Sequence, residues 1–266
     1  MDLGLTGKRA VISGSTQGIG YAIARALLEE GASVVLNGRS SEGVQNAISR
    51  LTGELPGAVV DGIAADFGDA AQVARLLEKI DELGDVDILV NNVGLFELAE
   101  FGDIDDDRWQ RYFDVNVMSG VRLSRHLLPG MLARNDGRII FVASESGVNV
   151  PADMVHYGMT KAGMLAVGNG LAKLTRGTKV TVNSILGGPT YSDGVSRAVD
   201  AISAAQGMPA ADLKAAIASG NATSLLQRFI EPREIAALAA YLASPLSSAT
   251  NGAAVRADGG ALPTLY

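Results

Sequence analysis

The chain has 266 residues, 22 basic against 29 acidic, and a formal net charge of −7. With 47% hydrophobic and 19% charged residues it is a globular chain rather than a disordered one. The acidic balance argues against nucleic acid or an anionic membrane surface as the main partner. There is no cysteine and only two histidines, His126 and His156, which excludes disulfides, thiolate chemistry and a His-rich metal site.

Asp2 stands where a secretory signal would carry positive charge, so the expectation is a cytoplasmic protein. Strands are predicted at 9–13, 33–37, 58–64, 87–90, 138–143, 180–186 and 253–256. Helices are predicted near 18–30, 41–52, 70–83, 105–133, 156–175 and 231–243. Several strands are near-continuous Val, Ile and Leu runs, as in strands covered on both faces. Strand and helix alternating along the chain imply right-handed crossovers and a parallel sheet. The uncharged stretch 235–255 is long enough to span a bilayer, but Pro245, Asn251 and Gly252 break it. It reads as a buried helix, a turn and a strand. The segment 190–224 is rich in Ala, Ser and Gly, with weak helical pieces and no strand, and reads as an insertion over the sheet's edge. No linker divides the chain, so a single domain over 1–266 is expected.

The first strand runs straight into Ser13-Gly14-Ser15-Thr16-Gln17-Gly18-Ile19-Gly20 and then a helix. Such a turn points unpaired N–H groups and the positive end of a helix dipole at a phosphate. It lacks the Gly-Lys-Ser/Thr ending of a P-loop. After the second strand comes Gly38-Arg39, where a guanidinium can grip a 2′-phosphate through charge-assisted bonds. Further on, Tyr157 and Lys161 share a helix face. An ammonium near a phenol would lower the phenol's pKa and make the pair an acid/base device. Ser144 closes the fifth strand, in the crevice where open α/β sheets bind ligands, and could hold a carbonyl oxygen beside the tyrosine.

These features resemble the classical short-chain dehydrogenase/reductase family. The resemblance rests on the spacing of the glycine turn, on Asn91-Asn92-Val93-Gly94, and on Asn116. It continues through Ser144 thirteen residues before Tyr157, Tyr157-Gly158-Met159-Thr160-Lys161, Asn183, Gly187-Gly188-Pro189-Thr190 and Asp258-Gly259-Gly260. It implies an α/β fold with one Rossmann-type, doubly wound parallel sheet of about seven strands and helices on both faces. It implies an oxidoreductase that interconverts a carbonyl compound and its alcohol. Tyr157 would be the general acid or base, Lys161 would tune it and hold the nicotinamide ribose, and Ser144 would polarise the carbonyl. Asn116 would hold a relay water.

The implied cofactor is NADP(H), preferred over NAD(H), because the family's usual acidic position falls on Gly38 and Arg39 follows. Its contacts would be Gly14, Ser15, Gln17, Gly18, Ile19, Gly20, Arg39, Asp66, Phe67, Asn92, Gly94, Tyr157, Lys161, Gly188 and Thr190, with no metal. Gly187 stands where the family usually has Pro, which suggests a loose hinge for a lid over 190–224. Glycines 158, 163, 168 and 170 on one helix ask for close packing, and the family's subunit interface there implies a homotetramer or homodimer. The expected partner is a small-molecule carbonyl or alcohol, with His156, Ser146, Asn149, Tyr191 and Phe96 near the pocket. A 3-oxoacyl-(acyl-carrier-protein) reductase is the alternative, with Arg122, Arg125 and Arg134 greeting the carrier. A non-catalytic dinucleotide-binding regulator is another.

Overall fold

The computed structural model describes residues 2–220 and 223–265. Seven strands form one parallel sheet: β1 (Arg9–Ile12), β2 (Ser33–Gly38), β3 (Val60–Ala64), β4 (Ile88–Asn91), β5 (Arg138–Val142), β6 (Thr181–Gly187) and β7 (Ala254–Ala257). Their order is β3-β2-β1-β4-β5-β6-β7, so the chain reverses direction of growth between β1 and β4. A crevice at that switch point is where a ligand sits in an open α/β sheet.

Strand residues alternate between two cores. Ala10 and Ile12 of β1 face one layer and Val11 the other; Ile140 and Val142 of β5 face the first, Ile139 and Phe141 the second. The first layer is closed by α1 (Gly18–Glu29), α2 (Ser41–Glu54) and α9 (Pro232–Ala243), through Ile23, Leu27, Leu51, Ile235 and Leu242. The second is closed by α3 (Ala70–Leu83), α5 (Ser119–Arg134) and α6 (Val155–Leu174), through Leu76, Ile80, Leu123, Met131 and Met164. Each fully buried side chain of this size contributes about 1.5–3 kcal/mol. The uncharged stretch is α9, a 3₁₀ turn and β7, as its sequence breaks suggest.

Two expectations are revised, and the weak helical pieces expected in 190–224 receive their bounds. The helix expected over 105–133 is α4 (Asp106–Tyr112), a π-helical turn (Phe113–Met118) and α5. Single π turns of this kind concentrate at functional sites. The segment 190–224 contains two helices, α7 (Asp193–Gln206) and α8 (Ala210–Gly220), with one strand-like bridge from Thr190 to Ile230 at its base. Gly187 is not a loop residue: it ends β6 in register with Ala257 and is buried.

The glycines of α6 find partners within the chain. A Cβ on Gly158 would meet Val150 at 2.5 Å and the Ser146 carbonyl at 2.8 Å, one on Gly163 would meet Val117 at 3.3 Å, and one on Gly168 would meet Ser184 Oγ at 2.8 Å. Only Gly170 of the four faces open space. Close approach inside one subunit therefore accounts for most of the helix-propensity penalty these glycines carry.

Candidate active site

The ends of β1, β4, β5 and β6 converge on the crevice. The turn from Ser13 to Gly20 puts Gly14 at φ +64° and Gly18 at φ +60°, left-handed backbone that glycine adopts without strain. It is pinned from both sides. The Gly14 N–H donates to Asn37 Oδ1 (3.2 Å) and the Ser15 N–H to the Asn37 carbonyl (2.8 Å). Asn92 donates its amide to the carbonyls of Ser13 (3.1 Å) and Gly14 (2.9 Å). A Cβ on Gly20 would collide with the Gly14 carbonyl and the Asn92 amide.

Gln17, the N-cap of α1, makes no side-chain cap, whereas Ser40, Asp69, Asp105 and Ser192 cap α2, α3, α4 and α7. A glycine-lined helix start left uncapped by its own side chain fits the pyrophosphate of a dinucleotide. In this structure the Gly18 N–H donates to Asp193 Oδ2 (2.6 Å) at the start of α7, and Arg197 donates to Gln17 Oε1 (3.2 Å).

Arg39 is exposed at the end of β2 and, among the described residues, makes no ion pair of 4.0 Å or less. Gly38 beside it is buried, and a Cβ there would strike the Thr16 methyl. Asp66 accepts from the Gly68 N–H (2.9 Å) and leaves the capping of α3 to Asp69. The Phe67 ring is buried in the second core layer, and its carbonyl accepts from Arg122 (3.1 Å). Gly188 lies against Asp258, where a Cβ would meet the Asp258 carbonyl at 2.5 Å, and Thr190 donates its hydroxyl to the Gly188 carbonyl (2.9 Å). A Cβ on Gly94 would lie 3.6 Å from both Asn116 Oδ1 and Lys161 Nζ.

Asn116 is fully buried inside the π turn. Its Oδ1 accepts from the Leu95 N–H (2.7 Å), and its Nδ2 donates to the Leu95 carbonyl (3.0 Å) and Thr160 Oγ1 (2.9 Å). Its side chain thus ties the loop after β4 to α6. Lys161 is buried with its ammonium donating to the Val142 carbonyl (2.9 Å) and 5.5 Å from the centre of the Tyr157 ring. Burial pulls the Lys161 pKa down to about 8, against the opposing pull of the Glu145 charge.

The Tyr157 phenol departs from expectation: its pKa is raised. Burial is the main cause, the neighbouring Ser144 hydroxyl opposes it, and the Glu145 charge adds to it. Ser144 donates to Glu145 Oε2 (2.5 Å) and accepts from the Ser146 N–H (3.1 Å). Ser146 in turn donates to Glu145 Oε1 (3.2 Å).

Of the side chains expected near the pocket, His156 is fully buried against the Tyr112 ring (4.2 Å between centres), and its Nε2 lies 3.4 Å from Glu97 Oε1. Tyr191 sits against Phe229 and under Lys214, while Phe96 lies against Gly194. Asn149 is exposed. Asn37, Glu145 and Asp193 were not singled out by sequence. For Glu145 a signal existed, a carboxylate directly following the strand-end serine. Of the three arginines considered for an acyl carrier protein, two are engaged within the chain: Arg122 with Phe67 and Asp114, and Arg134 with Asp85 (2.7 Å) and the Val86 carbonyl.

A parallel doubly wound sheet with this glycine turn and a Ser–Tyr–Lys cluster defines an NAD(P)-dependent dehydrogenase or reductase. Residues 8–202 match the short chain dehydrogenase family, and the chain belongs to it. It is 45% identical over 266 residues to the oxidoreductase YvrD of Bacillus subtilis (strain 168), covering all of both chains. It is 33% identical over 257 residues to the D-beta-hydroxybutyrate dehydrogenase of Cupriavidus necator, covering 96% of this chain and 98% of that one. Among solved structures it is similar to L-sorbose reductase from Gluconobacter frateurii complexed with NADPH and L-sorbose, with a TM-score of 0.94, 33% identity and full coverage of both chains. Among the described residues no helix is long and apolar enough to cross a membrane.

Proposed function

We propose that the protein interconverts a small carbonyl compound and its alcohol with NADP(H), with Tyr157 as the proton donor and acceptor. The observation that carries this is the meeting of Ser144, Tyr157 and Lys161 beside the glycine turn. The nicotinamide, when bound, supplies the hydride or takes it. Ser144 positions the carbonyl oxygen, and Tyr157 gives it a proton in reduction. A raised phenol pKa keeps the proton on Tyr157 but also makes it a weaker acid, so donation depends on the Lys161 ammonium and on the charge that develops on the carbonyl oxygen. Lys161 stands beneath the ring as the next proton source. The Asn116 side chain has its partners within the protein, so a relay water would rest on a backbone carbonyl of the π turn. An NADPH-oxidation screen over ketones, aldehydes and acyl thioesters, with NADH as comparator, tests the reading; NADPH binding without turnover of any carbonyl would favour a regulator.

Arg39 is the residue offered for NADPH preference. Arg39→Ala should weaken NADPH about 10- to 100-fold, the worth of a charge-assisted contact, and change NADH little. Equal losses for both cofactors in fluorescence titration would refute its role. Installing an acid at Gly38 requires Thr16→Ala as well, because of the methyl packed there.

The segment 190–224 is proposed as a lid. Among the described residues of α7 and α8 only Val199 and Leu213 are buried, so this segment buries little apolar surface. Asp193 holds a donor that the pyrophosphate would take. Asp193→Asn should therefore tighten NADPH binding about tenfold, by removing a competing anion. Unchanged or weaker binding in titration calorimetry would show that the two do not compete. A homo-oligomer remains the proposed assembly, supported by the exposed Phe113 and Met159 on the π turn and α6.

A further inference from the structure

We propose that Glu145 reads a hydroxyl on the carbon next to the reacting carbonyl, so that the substrate is an uncharged hydroxy-ketone or hydroxy-aldehyde. This rests on the reading of Ser144 and Tyr157 above. Ser144 has one proton to donate, and in this structure it goes to Glu145 Oε2 at 2.5 Å. To position the carbonyl, Ser144 must instead turn this hydrogen bond to the carbonyl oxygen, while Tyr157 supplies the proton that is transferred. Once Ser144 turns to the substrate, Glu145 retains only the Ser146 hydroxyl at 3.2 Å. A half-buried carboxylate stripped of its strongest donor is unfavourable unless another donor arrives. A hydroxyl one carbon from the carbonyl supplies it. Its oxygen and the carbonyl oxygen are separated by about the length of a hydrogen bond, as Ser144 Oγ and Glu145 Oε2 are here.

Glu145 cannot readily swing away. The 3₁₀ turn Glu145–Gly147 lies so close on α6 that a Cβ on Gly147 would meet the Lys161 carbonyl carbon at 2.8 Å. The Ser146 N–H also fixes Ser144 Oγ at 3.1 Å. Among the described residues no ion pair of 4.0 Å or less neutralises Glu145, whereas Glu97 has Arg108 at 3.1 Å. A carboxylate without an ion-pair partner at this site, its charge offset only in part by the Lys161 ammonium, disfavours substrates that carry a carboxylate of their own.

The test compares hydroxyacetone, acetone and pyruvate as substrates with NADPH. The wild-type protein should prefer hydroxyacetone to acetone by about 10- to 100-fold in kcat/KM, and pyruvate should be poorest. In Glu145→Ala the hydroxyacetone preference should collapse to within about threefold, with NADPH binding retained. Glu145→Gln keeps the size of the side chain and guards against a misfolded alanine variant; it should lower the preference and raise pyruvate. Equilibrium binding of the two ketones to Tyr157→Phe protein loaded with NADPH should follow the same order. Lack of a wild-type preference, or a preference that survives both substitutions, overturns the role of Glu145 and leaves the carbonyl chemistry standing. No turnover of any carbonyl by a protein that binds NADPH overturns both.

Discussion

Tyr157→Phe should lower carbonyl turnover about 1,000-fold, within the range for removing a positioned proton donor, and leave NADPH binding within about twofold. The change deletes one hydroxyl and keeps the ring that packs over Lys161. Burial already opposes ionisation of that hydroxyl, so little folding energy is tied to its charged form. The fold should be unmoved by more than about 1 kcal/mol, the usual net worth of one hydrogen bond. Single-turnover NADPH oxidation, with a thermal melt as control, decides it. Activity within a few-fold of wild type would remove Tyr157 from the chemistry.

Lys161→Met should inactivate the protein and yet stabilise it. Lys161 is buried, and its pKa falls from 10.5 to about 8. Between these values the unfolded chain binds more protons than the folded one, so this group's contribution to stability rises with pH across that window. Below pH 8 the full cost of holding a buried ammonium is present, on the order of 3 kcal/mol for a shift of this size. Methionine fills the space of the stem and carries no charge, while the Val142 carbonyl loses its donor at a cost of about 1 kcal/mol. The cofactor-free variant should be about 1–2 kcal/mol more stable than wild type at pH 7, with the gap closing by pH 10.5. Urea unfolding at both pH values measures it. A variant less stable at pH 7, or a gap that does not change with pH, would show that Glu145 and the Val142 carbonyl already compensate the ammonium.

The sheet was legible because its strands are apolar runs that bury both faces; Phe141 and Ile140 announce two cores at once. The glycine turn was legible because chain neighbours build it. What the sequence hides is contact between distant residues. Nothing local shows that Asp193 reaches Gly18, 175 residues away, or that Asn37 anchors the turn. The π turn around Asn116 escaped because its residues carry an ordinary helical pattern. The Tyr157 phenol was misjudged for a related reason. Four-residue spacing reveals the neighbouring ammonium, but not the burial, the Val142 carbonyl that holds that ammonium, or the Glu145 charge. The close packing that the α6 glycines ask for comes from Val150, Val117 and Ser184 of the same chain, contacts that the local sequence does not reveal.

If the segment 190–224 acts as the proposed lid, the bond between Asp193 and Gly18 makes it an intramolecular competitor for the cofactor. Because both groups belong to one chain, the carboxylate is present at a fixed effective concentration, independent of how much protein is in solution. The measured affinity for a dinucleotide is then the intrinsic affinity of the seat reduced by the fraction of time Asp193 holds it. Ligands that carry a pyrophosphate would then displace Asp193 from the turn; a nicotinamide or substrate fragment without one would gain nothing by doing so. On that proposal cofactor arrival and release of the lid are a single exchange, and the expected order of events is dinucleotide first, carbonyl second.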